Sequence, residues 1–188
     1  MSDSTGREQT GAPSDEELMT TVARGDLGAF EHLVLRHQRS AWNAAYRFIG
    51  DEAEAEDIAQ EAFLQILEAA PRYQPTARFR TYLYRVVTRL CMDHARKKRP
   101  VYNSDLPDTP DSAGSPLDLI TALERTQAVR QALRGLSSNQ RMVVVLRYYE
   151  GLAYSEIATV LETTTKAVER LLARARENLE ETLGHLLD

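Results

Sequence analysis

In the first half of the chain the charge changes sign. Asp51 to Pro71 holds seven acidic residues, Asp51, Glu52, Glu54, Glu56, Asp57, Glu61 and Glu68, and no Lys or Arg. Arg72 to Arg99 holds nine basic residues, Arg72, Arg78, Arg80, Arg85, Arg89, Arg96, Lys97, Lys98 and Arg99, against one acid, Asp93. Aromatic residues are threaded through the basic block: Tyr73, Phe79, Tyr82 and Tyr84. Bases stack on such rings for ~1–3 kcal/mol each while arginines track phosphates, so the pattern suits single-stranded nucleic acid. Some of these rings must be core, because Leu83, Val86, Val87 and Leu90 mark a buried helical face. In the acidic block, Ile58, Ala62, Phe63 and Ile66 share one face, and Asp57, Gln60, Glu61 and Gln65 lie opposite. A polar face of this kind meets a charge-complementary protein or is simply solvated, and this stretch alone leaves both readings open.

A second constellation lies near the C-terminus. Ile157, Ala158 and Leu161 fall on one side of a short helix, and a brief turn follows. Val168, Leu171, Leu172, Ala175 and Leu179 then line one side of a longer helix. This spacing fits a helix-turn-helix, whose second helix enters the major groove by its N-terminal end. The exposed positions there are Thr165, Lys166, Glu169, Arg170, Ala173, Arg174 and Arg176. Arg and Lys pair with guanine edges or phosphates, and Glu accepts from cytosine. Thr163, Thr164 and Thr165 offer hydroxyls for an N-cap, beside amides that could meet a phosphate. Glu162 stands where this turn often has Gly, and must make the turn without glycine's freedom. The competing reading is an amphipathic hairpin with a solvated charged face.

The elements that must position these residues are helical. The spacing predicts helices over 15–25, 28–49, 53–69, 79–98, 117–134, 138–149, 153–161 and 164–183, with capping-box pairs at Ser14/Glu17, Asp51/Glu54 and Ser137/Gln140. Residues 1–14 read as a disordered tail. Pro100 to Pro116 contains four prolines, three serines, a glycine and the aspartates Asp105, Asp108 and Asp111. It reads as a flexible linker or a long surface loop. As a linker, its 17 residues at ~3.3 Å each would reach roughly 55 Å, more than one turn of B-DNA. The fold class is therefore all-α: two small helical domains, 15–99 and 117–188, joined by 100–116.

Composition narrows the function. The 188 residues carry a net charge of −5, which argues against indiscriminate nucleic-acid binding. Cys91 is the only cysteine, so a disulfide framework within the chain is excluded; in its helix it reads as a small packing residue. The N-terminus lacks a signal-peptide core and no stretch suits a membrane span, so a reducing, cytoplasmic location without membrane insertion is expected. A carboxylate-rich bundle holding a metal through Glu31, His32, His37, Asp57 and Glu61 would need paired Glu-x-x-His motifs, which are absent.

DIAQEAFLQIL, then RFRTYLYRVVTRLCMDHARKKRP, then LSSNQRMVVVLRYYEGLAYSEIATVL with KAVERLLARARENL, together resemble a bacterial extracytoplasmic-function (group IV) RNA polymerase sigma factor. The resemblance covers about residues 15–183. It implies a sigma-2-like domain at 15–99 and a sigma-4-like domain at 117–188. The acidic helix, with Asp57, Gln60, Glu61 and Gln65, would dock on the clamp helices of the polymerase β′ subunit, and the second domain would meet the β flap. The loop Ala69–Arg78, including Tyr73, Gln74 and Arg78, would capture a base flipped from the −10 element. Phe79, Arg80, Tyr82, Tyr84, Arg85, Arg89, Arg96, Lys97 and Lys98 would hold the melted strand. Thr164, Thr165, Lys166, Glu169, Arg170 and Arg174 would read the −35 element. The linker would thread toward the RNA exit path, where Asp105, Asp108 and Asp111 could imitate an RNA backbone.

Tyr82 departs from the Trp the family often has, keeping a ring but changing its hydrogen-bonding tip. The chain ends soon after the second block, so no appended regulatory domain is expected. The resemblance further implies core RNA polymerase, promoter DNA and an anti-sigma protein as partners. The expected role is to recognise −35 and −10 elements, melt promoter DNA and initiate transcription of a specific regulon. No covalent chemistry is implied, and no catalytic residue, metal or cofactor is assigned. An ordinary two-domain regulator would explain the second half but not the acidic-then-basic order of the first.

Overall fold

The computed structural model describes residues 12–97 and 128–184. The linker 100–116, Lys98, and most of the tail 1–14 lie outside the described residues. So does residue range 117–127 of the helix expected at 117–134. Among the described residues the fold is all-α. Four helices make the first unit: α1 (Asp15–Val22), α2 (Leu27–Ile49), α3 (Glu52–Ala69) and α4 (Phe79–Lys97). A single 3-10 turn, Ala70–Arg72, follows α3. The second unit contains α5 (128–135), α6 (Ser138–Val144), α7 (Tyr154–Val160) and α8 (Thr165–Leu183).

The predicted caps form with one modification. Ser14/Glu17 and Ser137/Gln140 are complete capping boxes. Asp51 accepts from the Glu54 N–H at 2.9 Å, but the Glu54 carboxylate turns instead to Nε2 of His94, 2.8 Å away. Two elements differ from expectation. The first helix ends at Val22 rather than residue 25, because Gly25 takes a left-handed backbone (φ 95) that lets Asp26 cap α2. The helix expected at 138–149 is α-helical only to Val144. It then widens into a π turn over Val145–Tyr149, with the Glu150 N–H donating to the Val145 carbonyl, 3.1 Å away.

Small residues let α2 and α3 approach closely: Ala41, Ala45, Ala55 and Ala62 are fully buried. Leu33, Phe48, Phe63 and Ile66 fill the space around them, each worth about 1.5–3 kcal/mol when taken from water. In α4, Leu83, Val87 and Cys91 are core, while Val86 and Leu90 are half-buried. In the second unit Ile157, Val168, Leu172 and Ala175 form the expected helix-turn-helix seam.

The two units pack on each other, α4 against α7 and α2 against the π turn. Arg141 ties them: its guanidinium donates to the carbonyls of Leu133 (2.9 Å) and Arg134 (2.8 Å) at the end of α5, and of Phe48 (2.8 Å) near the end of α2. Helix C-termini leave such carbonyls without intrahelical partners, so one side chain closes two helix ends.

Candidate nucleic-acid interface

Three faces carry the residues singled out by sequence. On α3, Asp57, Gln60 and Glu61 are exposed and Gln65 is half-buried. Gln60 donates to Glu56 (3.2 Å) and Gln65 to Glu61 (2.8 Å), which holds the polar side chains in register along the helix. Beside this face runs an apolar groove between α2 and α3, about 610 Å³, lined by Phe30, Val34, Trp42, Phe63 and Leu64. Leu64 is 56% exposed, as an unpartnered docking surface would be.

The loop and α4 form the second face. Tyr73, Gln74, Tyr82 and Arg85 surround a cavity of about 420 Å³, joined by Arg72 and by Thr159 from α7. The Tyr73 and Tyr82 rings lie 5.3 Å apart at 53°. The Arg85 guanidinium sits 5.3 Å from the Tyr82 ring centre. Burial raises both phenols above their ordinary range, with Glu16 adding to the effect on Tyr73. The Tyr73 hydroxyl is buried and has no hydrogen-bond partner among the described residues. Arg78, Arg80, Arg89, Arg96 and Lys97 are exposed. Arg96 pairs with Asp93. Arg72, counted above only within the basic run, belongs to the pocket wall.

Two expected stacking rings are corrected. Phe79 has no exposed surface and packs against His37 (5.2 Å between centres) and Tyr82. It starts α4 on the helix's buried side, so it is core. Tyr84 is also fully buried, and its hydroxyl donates to the Glu150 carboxylate of the second unit. No base can stack on either ring in this arrangement. Burial, then the bond to Glu150, pushes the Tyr84 phenol up to about 12. Glu150 carried no signal of its own in the sequence; an acid between a helix and a glycine turn is ordinarily solvated.

The third face is the start of α8. Thr164 is its N-cap, accepting from the Ala167 N–H at 3.2 Å. Thr165, Lys166, Glu169, Arg170 and Arg174 are all exposed on one end and side of the helix. Glu162 makes the preceding turn at φ 51 and, among the described residues, is the one non-glycine with a positive φ. A residue with a side chain thus occupies the left-handed position, as the missing glycine implied. His37, one of the residues weighed above for a metal, lies 2.7 Å from Asp15, and no group of three or more His, Cys, Asp and Glu able to hold a metal occurs among the described residues. No described helix is long and apolar enough to cross a membrane.

An acidic helix, an aromatic and basic helix, and a helix-turn-helix follow one another along the chain, the order expected of a sigma-70-type transcription factor. Family comparison agrees: Sigma-70 region 2 matches residues 33–101 and Sigma-70, region 4 matches 126–179. The chain is 34% identical over 187 residues to the RNA polymerase sigma-H factor of Pseudomonas aeruginosa, covering 92% of this chain and 95% of that one. It is 32% identical to the ECF RNA polymerase sigma factor SigW of Bacillus subtilis, covering 88% and 94%. Among solved structures it is similar to CnrH in complex with the cytosolic domain of CnrY, with a TM-score of 0.71, 28% identity, and 92% and 99% of the two chains covered. The chain belongs to the extracytoplasmic-function RNA polymerase sigma factors. Promoter-specific transcription initiation with RNA polymerase is the function that membership carries, a regulatory role.

Proposed function

We propose that this sigma factor opens promoter DNA through a division of labour between its units. Core polymerase is engaged by Asp57, Gln60, Glu61 and Gln65 together with the adjoining apolar groove, which joins charge complementarity to burial. The second unit adds a contact to the β flap. Its α8 reads −35 duplex through Lys166, Glu169, Arg170 and Arg174, with Thr164 and Thr165 at the helix start near a phosphate. The unpaired −10 strand is held along Arg78, Arg80, Tyr82, Arg85, Arg89, Arg96 and Lys97. Flipping a base costs a few kcal/mol. The pocket around Tyr73, Gln74 and Tyr82 offsets that cost by stacking.

The observation that carries this reading is that pocket: two tyrosine rings and two arginines around a cavity of about 420 Å³, beside an exposed basic helix. An anti-sigma protein is a further proposed partner, supported by the relative CnrH, whose solved structure holds CnrY. The test is run-off transcription with core polymerase and a promoter pool, followed by sequencing of the starts. Discrete starts that require this chain and share −35 and −10 elements are expected. Binding of duplex operator DNA without polymerase, and no starts with it, would replace the reading with an ordinary regulator.

A further inference from the structure

A cavity of about 530 Å³ opens at the seam between the units, where α5 and the π turn meet the C-terminal half of α2. Four arginines line it: Arg47 of α2, Arg130 and Arg134 of α5, and Arg141 of α6. Among the described residues no Asp or Glu does so, in a chain whose net charge is −5. A concave site lined by one sign of charge focuses its field on the opposite sign, here an anion. The arginines differ in what they have left to give. Arg141 is committed to helix-end carbonyls and supplies a fixed positive charge. Arg47 donates to the Glu150 carboxylate (3.2 Å), which uses one arm of its fork. The Arg134 guanidinium lies against Gly50, the left-handed residue (φ 83) that ends α2; a Cβ there would stand 3.0 Å from its Nη2. Arg134 is exposed at the rim.

Rings supply the rest of the wall. Trp42 and Tyr46, one turn apart on α2, stack at 4.9 Å and 11°. Tyr149 joins them from the π turn, 44% exposed. Arg130 lies 5.7 Å from the Tyr46 ring centre and Arg47 4.6 Å from that of Tyr149, so cations and rings alternate. Helix-end pairing accounts for Arg141 but not for the other arginines beside three rings. We infer that this cavity is a binding site for a nucleoside polyphosphate, with the phosphates on Arg134, Arg130 and Arg47 and the base against the aromatic wall. Guanidinium forks match phosphate oxygens in pairs, and a flat heterocycle gains from an aromatic neighbour. A bare phosphate would use the arginines and leave the rings idle. The volume lies within the roughly 300–1,000 Å³ of small-molecule pockets.

The experiment titrates the full chain, without polymerase or divalent cations, with ATP, sodium triphosphate and adenosine. Trp42 is the only tryptophan in the chain, so its fluorescence reports from the cavity wall. Calorimetry measures the same binding without relying on Trp42. Saturable quenching by ATP with matching heat is expected, with triphosphate at least several-fold weaker and adenosine weaker still. ATP should also raise the melting temperature, since it is held by both units. Arg134→Ala should weaken ATP roughly tenfold, the effect of losing a hydrogen bond to a charged group. Arg85→Ala, on α4 outside this cavity, should change nothing. Should circular dichroism show that Arg134→Ala unfolds the chain, Arg130→Gln decides in its place. No saturable binding at millimolar ATP overturns the site. Binding that Arg85→Ala removes and Arg134→Ala spares also overturns it, because the nucleotide then sits on α4. Equal affinity for ATP and triphosphate overturns the assignment to a nucleotide.

Discussion

The carboxylate of Glu16 accepts the backbone N–H of Phe79 at 2.8 Å, so a residue on α1 caps the first turn of α4 from 63 positions away in sequence. The N-terminus of a helix leaves four N–H groups without partners and favours negative charge. Asp15, next to Glu16, is held by Arg36 (3.0 Å) and lies 2.7 Å from His37, which fastens α1 across α2. Glu16→Ala should therefore destabilise the protein by about 1 kcal/mol, read as a lower urea midpoint. Increased amide exchange at Phe79 and Arg80 should accompany it. Unchanged exchange there would show that the cap is dispensable.

Glu162 is expected to be a site of stored strain. Left-handed backbone costs a residue with a side chain about 1–2 kcal/mol, and glycine's larger entropy loss offsets about 0.5–1 of that. Glu162→Gly should stabilise the second unit by up to about 1 kcal/mol, while Glu162→Val should destabilise it. Denaturant titration checks both, and a loss of stability in the glycine variant would refute the strain argument.

Stability should fall in alkali. Burial pushes the Cys91 thiol from its ordinary 9.0 to about 12, and the Tyr84 phenol rises from 10.0 to about 12. Both groups hold their proton longer in the folded chain, so above pH 9.0 the unfolded chain binds fewer protons. The contribution is complete below that point and is lost as pH rises toward 12. Urea midpoints measured across this range should decline with pH, and Cys91→Ala should delay the onset of the decline toward 10.0, where Tyr84 takes over.

Asp57 and Glu61 are exposed and outside the core, so changing both to Lys should leave the helical signal intact. Affinity for core polymerase should fall at least several-fold, and more so at low salt. Equal affinity in a competition titration would mean the acidic face is only solvated.

Arg170→Ala should weaken −35 discrimination by ~1–3 kcal/mol if its guanidinium makes a bidentate contact to guanine. Core-polymerase affinity should not change. A promoter library sequenced before and after selection would expose the lost base preference, and an unchanged preference would remove Arg170 from the reading set.

Much of the fold was legible from local pattern. Helix starts at Ser14, Asp51 and Ser137 follow from side chains that reach backbone amides three residues on, a purely local interaction. The α8 reading face follows from which positions are left over once Val168, Leu172 and Ala175 are buried. Rings defeated this method. Phe79, Tyr82 and Tyr84 all sit in one basic helix, and alternation between core and surface depends on which neighbours arrive. Phe79 went to the core against His37, whereas Tyr82 stayed half-exposed beside Tyr73.

The residues themselves, through periodicity, capping chemistry and the order of acidic and basic blocks, determined an all-α chain with two helical units and a family with a known task. Those signals act over a few residues, where backbone geometry and side-chain spacing are enough. Only the tertiary structure decided the fate of Tyr84 and Glu150, which are 66 positions apart. Whether a carboxylate is solvated or buried depends on which donors surround it in space, and the donors for Glu150 come from α2 and α4, on the far side of the seam.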